Sequence, residues 1–356
     1  MFAYIALLMF LFTVYVLEGR YVVYMRDTLS LEKSKQYGRT GVVLLTAFFV
    51  VLIAGRNKVV GNDTSRYWYA FATKDHLTKV MEGFQATEWG YAFLQHVIRS
   101  SGGSFRCILV FEALIFVIPV AYMVFKYSRN PYASLFLFFA FDYYLFGMTA
   151  IRQSIALGLC MLALEQAKRK KLIKFLLLVC VASTFHQTAM IFLPVYFLTK
   201  LSLNKKYLLL TMLVGLAVYV FKDQIRTFMR QFARIDYNEL PTGGTGMYVF
   251  LFTTVVLDVL YSNQGALTWE SNDMFSNLMI VAVIMFPVLQ YNPSIFRLHY
   301  YYSIAMIVNI PNTIKKVPDP RLRFGIAVMY FVISCYYMTS YPLRTMGVVP
   351  YAFGGM

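Results

Sequence analysis

Between Gly55 and Lys74 the chain reads GRNKVVGNDTSRYWYAFATK, so Arg56, Lys58, Asp63 and Arg66 stand with Tyr67, Trp68 and Tyr69 directly after a long apolar run. Guanidiniums bind phosphate or carboxylate through paired, planar hydrogen bonds. A cationic, carboxylate-bearing loop at the end of an apolar segment therefore points to an anionic ligand.

Other groups of the same kind recur. GMTAIRQSIA carries Arg152 and Gln153, and STFHQTAMIFLP carries His186 among Ser183, Thr184, Gln187 and Thr188. NPSIFRLHYYYSIAMIVNIP carries Arg297 and His299 between Pro293 and Pro311. Ionisable side chains at the ends of apolar spans are costly and mark function by default. The bland readings are a snorkelling helix-end arginine for Arg152, a hydroxyl-satisfied structural histidine for His186 and interfacial anchors for Arg297 and His299. Convergence of all four on the side that holds Arg56 and Asp63 favours a site. Asp142, in FAFDYYLFG, is expected to partner one of these arginines, whereas Glu112 lies deeper with no assigned partner. In KDQIRTFMRQFARIDYNELPTGGTGMY, Arg226, Arg230 and Arg234 recur every four residues, one stripe on a helix. The Gly243, Gly244, Gly246 cluster before Tyr248 is a turn, lacking the Lys-Ser/Thr of a P-loop.

The elements that must carry these groups follow from composition. With 59% hydrophobic, 18% aromatic and 14% charged residues, the chain is an all-α polytopic integral membrane protein. Residues 1–356 read as one integral domain. About twelve transmembrane helices of roughly 17 to 21 residues each are expected, with a short pair around His186 that is broken or re-entrant. Two long extracytoplasmic loops, 56–104 and 223–245, separate some of them. The N-terminal MFAYIALLMFLFTVYVLEGR lacks a basic start and a cleavage site, so a retained first span with an outside N-terminus is expected. Cys107, Cys160, Cys180 and Cys335 sit in apolar runs without metal-like spacing and read as small buried hydrophobes.

The net charge of +16 reflects basic loops and an anionic ligand, with no nucleic acid expected. Loop 18–39, KRKKLIK, TKLSLNKK and KKVPDPRLR are basic and fall on one side, taken as cytoplasmic. Of 33 Lys+Arg, about fourteen are then outside and roughly ten of those are Arg, whereas the inside set is mainly Lys. H-E-x-x-H, Walker A, G-x-S-x-G, paired His/Cys clusters and a dense acidic cluster are all missing from the sequence. Chemistry with no metal, nucleotide or other cofactor is expected.

Four segments, in order from Gly55 to Pro311, resemble those of EpsG-type, Wzy-like exopolysaccharide polymerases. GRNKVVGNDTSRYWYAF resembles the family's R-x(n)-G-x-D-T-x-x-Y segment, TAIRQSIALGLCMLAL its R-Q-x-x-A helix, STFHQTAMIFLPVYFL its F-H-x-[ST]-A segment and FRLHYYYSIAMIVNIP its arginine-to-Ile-Pro segment. Each motif is common alone, while four in order are specific. Asn62 before the Asp departs from the pattern, and the C-terminal VPYAFGGM is only loosely similar.

The resemblance implies a Wzy-like, GT-C-like membrane fold and a glycosyltransferase of the bacterial cytoplasmic membrane, its site facing the extracytoplasmic side. Its substrates would be undecaprenyl-pyrophosphate-linked oligosaccharides for exopolysaccharide, capsule or O-antigen. Its partners would be membrane lipids, a chain-length regulator and a flippase. On that reading Arg152 and Arg297, supported by Arg56, clamp the pyrophosphate, and Asp63 or His186 is the base, with Asp63 slightly favoured because it is ionised at neutral pH. Arg66, Gln153, Arg226, Arg230, Arg234, Tyr248 and His299 would help bind substrate, and Tyr67, Trp68 and Trp89 would stack on sugar rings. Two alternatives stay open. An O-antigen-ligase-like transferase would use the same chemistry on another acceptor. A transporter or flippase of lipid-linked saccharide would place its polar groups near the midplane of duplicated halves.

Overall fold

A computed structural model describes residues 2–28, 37–73, 88–233, 245–261, 273–340 and 342–355. Of the described residues 82% are helical, as lipid requires: helices bond every backbone N–H and C=O internally where no water can.

In chain order the helices are α1 (Phe2–Val14), running through a π-turn at Tyr15–Gly19 into α2 (Arg20–Thr28), α3 (Arg39–Gly55), α4 (Thr64–Thr73), α5 (Trp89–Ser100) and α6 (Phe105–Tyr127). Then come α7 (Pro131–Ala140), α8 (Tyr143–Gly147), α9 (Ile151–Lys168), α10 (Leu172–Phe185), a 3-10 helix (Gln187–Phe192), α11 (Val195–Leu198), α12 (Lys205–Val220) and α13 (Lys222–Ala233). The rest are α14 (Thr245–Leu260), α15 (Asp273–Leu289), α16 (Pro293–Phe296), a 3-10 turn (Arg297–His299), α17 (Tyr300–Ser303), α18 (Met306–Lys316), α19 (Pro320–Ser340) and α20 (Pro342–Thr345).

Among the described residues three helical stretches are long and apolar enough to cross a membrane, Phe2–Arg26, Phe105–Tyr127 and Pro320–Thr345. A fourth forms if α12 and the start of α13, which meet at a 69° bend, are counted together. Shorter apolar helices complete the bundle. The outward faces fit a lipid solvent. Helix α12 buries none of its residues, and Leu209, Leu210, Met212 and Leu213 point outward. A face of that kind would aggregate in water.

Helix α6 is central, packed by α3 on one side and α9 on another, with α10 against α9. Gly158 permits the close crossing of α9 and α6, since a Cβ there would lie 1.9 Å from the Ile115 carbonyl oxygen. Much of the aromatic content fills the core. Phe49 packs at a tilt on Tyr144, ring centroids 4.6 Å apart, and Phe116 on Phe138 at 5.5 Å, tying α3, α6, α7 and α8 together.

Several expected spans are interrupted where polar groups occur. The 131–147 segment breaks at Asp142, which has φ 60°, a left-handed conformation that Asp tolerates better than most residues. The segment after His186 continues as a 3-10 helix and one short α-turn, consistent with the short pair read from the sequence. Residues 296–313 begin as a 3-10 turn and a short helix before α18. Of loop 56–104, α4 and α5 are described while 74–87 lie outside the described residues; of loop 223–245, α13 is described and 234–244 are not.

Basic side chains are fixed to carbonyls or carboxylates at both ends of the bundle. At the start of α6, Arg106 donates to the carbonyls of Ala54 at 2.7 Å and Arg56 at 2.9 Å. At its other end Arg26 donates to Phe125 and Ser128 carbonyls at 2.9 and 2.7 Å, and Lys126 and Arg169 pair with Glu165. Asn312 ties α18 to the Tyr127 carbonyl at 2.9 Å, and Lys316 binds Asp258 at 2.7 Å.

Candidate active site

Loop 56–63 is shaped before it carries any chemistry. Gly61 has φ +92°, and a Cβ on it would sit 1.9 Å from the Met148 carbonyl oxygen, so glycine is required there. Thr64 donates its hydroxyl to that same carbonyl at 3.0 Å. Asp63 then stands at the N-terminus of α4, its own carbonyl accepting from Tyr67 N–H at 3.1 Å. A carboxylate is favoured at a helix N-terminus.

A second segment fastens this loop from far along the chain. The amides of Asn57, Gly61 and Asn62 donate to the carbonyls of Ala352, Gly347 and Met346 at 2.9, 2.8 and 3.1 Å. The Asn57 and Asn62 side chains donate to Gly354 and Thr345 carbonyls, each at 2.8 Å. Residues 345–354, which run into the loosely similar C-terminal motif, are thus a clasp on the Asp63 loop.

Two partly open pairs of opposite charge lie side by side. Asp63 and Arg297 approach to 3.6 Å, with side chains 33% and 37% exposed. Arg152, also 37% exposed, pairs with Glu88 through Nη1 and donates from Nε to the Tyr67 hydroxyl at 3.2 Å. The other oxygen of Glu88 meets Nδ1 of His186. Gln153, next to Arg152, donates its side-chain amide to the Arg297 carbonyl at 2.9 Å and so joins the two pairs. Burial works against ionisation of Glu88, but the bonds from His186 and the charge of Arg152 outweigh it and hold its carboxyl below the ordinary glutamate range.

Other expected site residues are placed differently. Arg56 is fully buried, binding Glu112 at 2.9 Å and the Ile53 carbonyl at 2.8 Å, and Ser154 donates to the second Glu112 oxygen. Arg56 thus supports the loop from within the core, and Glu112 has its partner. His299 is buried against Phe286, Phe296 and Tyr300, with Nδ1 2.5 Å from the Phe296 carbonyl. Among the described residues Asp142 pairs with no arginine, contrary to expectation. It accepts from the hydroxyls of Tyr300 at 2.7 Å and Tyr337 at 3.4 Å, because the left-handed break turns it into the core.

Among the aromatics, Trp68 has Lys58 3.5 Å over its ring, Tyr67 meets Tyr91 edge-on, and Trp89 is exposed. Arg66 is exposed. Arg226 is fixed to Asp223 at 2.7 Å, to the Pro287 carbonyl at 2.5 Å and over the Tyr291 ring at 3.4 Å, pinning α13 to the end of α15. Tyr248 stacks on Phe286. Arg230 lies on α13, and Arg234 lies outside the described residues.

Glu88 was not anticipated. Its signal was available as an acid in TEWG, but a count of positive charges does not find it. Among the described residues no three His, Cys, Asp or Glu side chains are drawn together as a metal would need.

A helical bundle with apolar outward faces and two open arginines beside candidate bases defines a membrane-embedded protein suited to an anionic ligand. The chain belongs to the EpsG family, whose profile matches residues 41–353, a Wzy-like exopolysaccharide polymerase family. No curated protein and no solved structure matches it.

Proposed function

We propose that this protein is a polysaccharide polymerase that joins undecaprenyl-pyrophosphate-linked repeat units on the outer face of the bacterial cytoplasmic membrane. The observation that carries this reading is the linkage of Arg152 and Arg297, both over a third exposed, through the Gln153 amide. Two guanidiniums at one open edge suit a pyrophosphate, and each stands next to a group able to take a proton.

In the reaction, the hydroxyl of the incoming lipid-linked unit attacks the anomeric carbon of the growing glycan. The new C–O bond forms as the bond to pyrophosphate breaks, and the electron pair leaves with the lipid pyrophosphate. Arg152 and Arg297 hold the charge that develops there, in a setting where preorganised donors act most strongly. Asp63 or His186 takes the hydroxyl proton. Two fixed guanidiniums take the place that a divalent cation fills in other phosphate-leaving reactions, so no metal is used, and a direct displacement inverts the anomeric centre. Trp89 offers an open face for a sugar ring.

The reading includes about twelve spans, with the Lys-rich end in the cytoplasm and the Asp63 end outside. A flippase would deliver the substrate, and a chain-length regulator would act on the product.

The test deletes the gene and complements it with wild type, Arg152→Ala, Arg297→Ala, Asp63→Asn and His186→Ala, sizing the lipid-linked glycans by gel. Single units on the outer face in the null strain, with long chains restored by wild type and not by the arginine variants, support the polymerase. Single units trapped on the inner face would indicate a flippase, and long chains left on the lipid a ligase.

A further inference from the structure

Two groups compete for the role of base, and their surroundings differ. Asp63 faces the guanidinium of Arg297. That carboxylate is already engaged by a cation, which an incoming acceptor hydroxyl would have to displace. His186 has the opposite neighbour. Its Nδ1 meets a carboxylate, that of Glu88, which accepts the Nδ1 hydrogen and so fixes the orientation and tautomer of the neutral ring. The free ring nitrogen, Nε2, then carries the lone pair.

The fold gives Glu88 this position by a close backbone approach. A Cβ on Gly90 would lie 2.2 Å from the Thr184 hydroxyl, so only glycine lets α5 seat against the end of α10, two residues before His186. His186 itself is in extended backbone between α10 and the 3-10 helix. Among the described residues, Arg152 lies on the second oxygen of Glu88, Tyr67 on Arg152, and the Gln187 backbone N–H also bonds to the Glu88 carboxylate. Thr188, from the 3-10 helix, bonds to the Tyr301 hydroxyl at 3.2 Å. Arg152 keeps Glu88 ionised and limits its rotation.

We infer that Glu88 is a positioning residue that makes His186 the general base, with Nε2 facing the acceptor hydroxyl, and that sets Arg152 at the leaving pyrophosphate through the same carboxylate. This rests on the polymerase reading. Atom for atom, the acceptor O–H proton passes to Nε2, its oxygen bonds the anomeric carbon, and the pyrophosphate leaves with the electron pair beside Arg152. Glu88 stays ionised throughout, and the proton on Nε2 is released to water after product departs.

The experiment uses full-length protein in lipid nanodiscs with a lipid-linked repeat unit, comparing wild type, Glu88→Gln, Glu88→Asp, His186→Ala and the double variant Glu88→Gln/His186→Ala. Glu88→Gln is expected to lower kcat about 10- to 100-fold, the range for losing a group that orients a histidine, with KM little changed. Glu88→Asp should recover part of the loss, and the double variant should be no slower than His186→Ala. In parallel, nitrogen NMR of histidine-labelled protein should show the His186 ring held with its proton on Nδ1, and the His186 signature should vanish in Glu88→Gln. That ring is assigned by its loss in His186→Ala and is separate from His299, whose Nδ1 meets a carbonyl. A wild-type kcat in Glu88→Gln, additive losses in the double variant, or ring-nitrogen signals indifferent to Glu88→Gln would each overturn the inference. If wild type makes no polymer while the NMR signature is present and depends on Glu88, the polymerase reading falls and the Glu88–His186 pairing stands.

Discussion

The amide of Gly61 donates to the carbonyl of Gly347 at 2.8 Å, so the loop that carries Asp63 near the start of the chain is completed by residues at its far end. Removing everything after Thr345 deletes the carbonyls of Met346, Gly347, Ala352 and Gly354 that hold Asn57, Gly61 and Asn62. The truncated protein should lose long-chain product and melt several degrees lower in detergent. Gly61→Ala, forced against the Met148 carbonyl at positive φ, should cost at least about 2 kcal/mol. Wild-type glycan lengths from the truncated chain would show that the clasp has no part in the site.

Arg56 and Glu112 are both fully buried and paired at 2.9 Å. Arg56→Ala strands an uncompensated carboxylate in the core, a loss on the order of 3–5 kcal/mol. Replacing both partners with apolar residues, Arg56→Met with Glu112→Leu, should recover most of the stability. Melting of purified protein separates the cases. A stable Arg56→Ala variant that has lost polymerisation would instead put Arg56 on the substrate.

Arg152 and Arg297 are open where Arg56 is closed. Alanine at either should reduce kcat about 100-fold or more, by analogy with deleting a preorganised donor to developing negative charge, while membrane abundance stays near wild type. Lysine should rescue poorly, because a point charge cannot reproduce the planar fork. Turnover normalised to protein level is the measurement, and full rescue by lysine would contradict paired recognition.

Glu88 also predicts a pH dependence of stability. Its folded carboxyl titrates below the ordinary value of 4.5, since the bonds from His186 and the charge of Arg152 overcome the effect of burial. A depressed folded pKa stabilises the fold at pH above 4.5 and loses that contribution as pH falls through the folded value. Thermal melting at pH 7 and at pH 4 should therefore differ less for Glu88→Gln than for wild type. Equal differences would remove the electrostatic account of the pair.

Much of the site was readable as residue types at positions along the chain. Asp63, Arg152, His186 and Arg297 were each conspicuous because an ionisable group at the end of an apolar run is costly, and the structure brings all four to neighbouring positions. Glu88 was not readable, since a single acid in a polar loop has no local feature that distinguishes it from a solvated one. Asp142 was misread for the converse reason. Its need for a partner was evident, but two tyrosine hydroxyls meet it instead of a guanidinium.

By itself the sequence determined the membrane class and the helical architecture, because hydropathy is a property of consecutive residues. Only the tertiary structure decided which arginine is open and which is closed. Arg56 and Arg297 look alike in one dimension, yet one meets Glu112 inside the core and the other meets Asp63 at a partly open edge. Burial and pairing depend on what distant segments bring alongside, as when Gly90 admits Glu88 to His186 or the C-terminal residues close over Gly61.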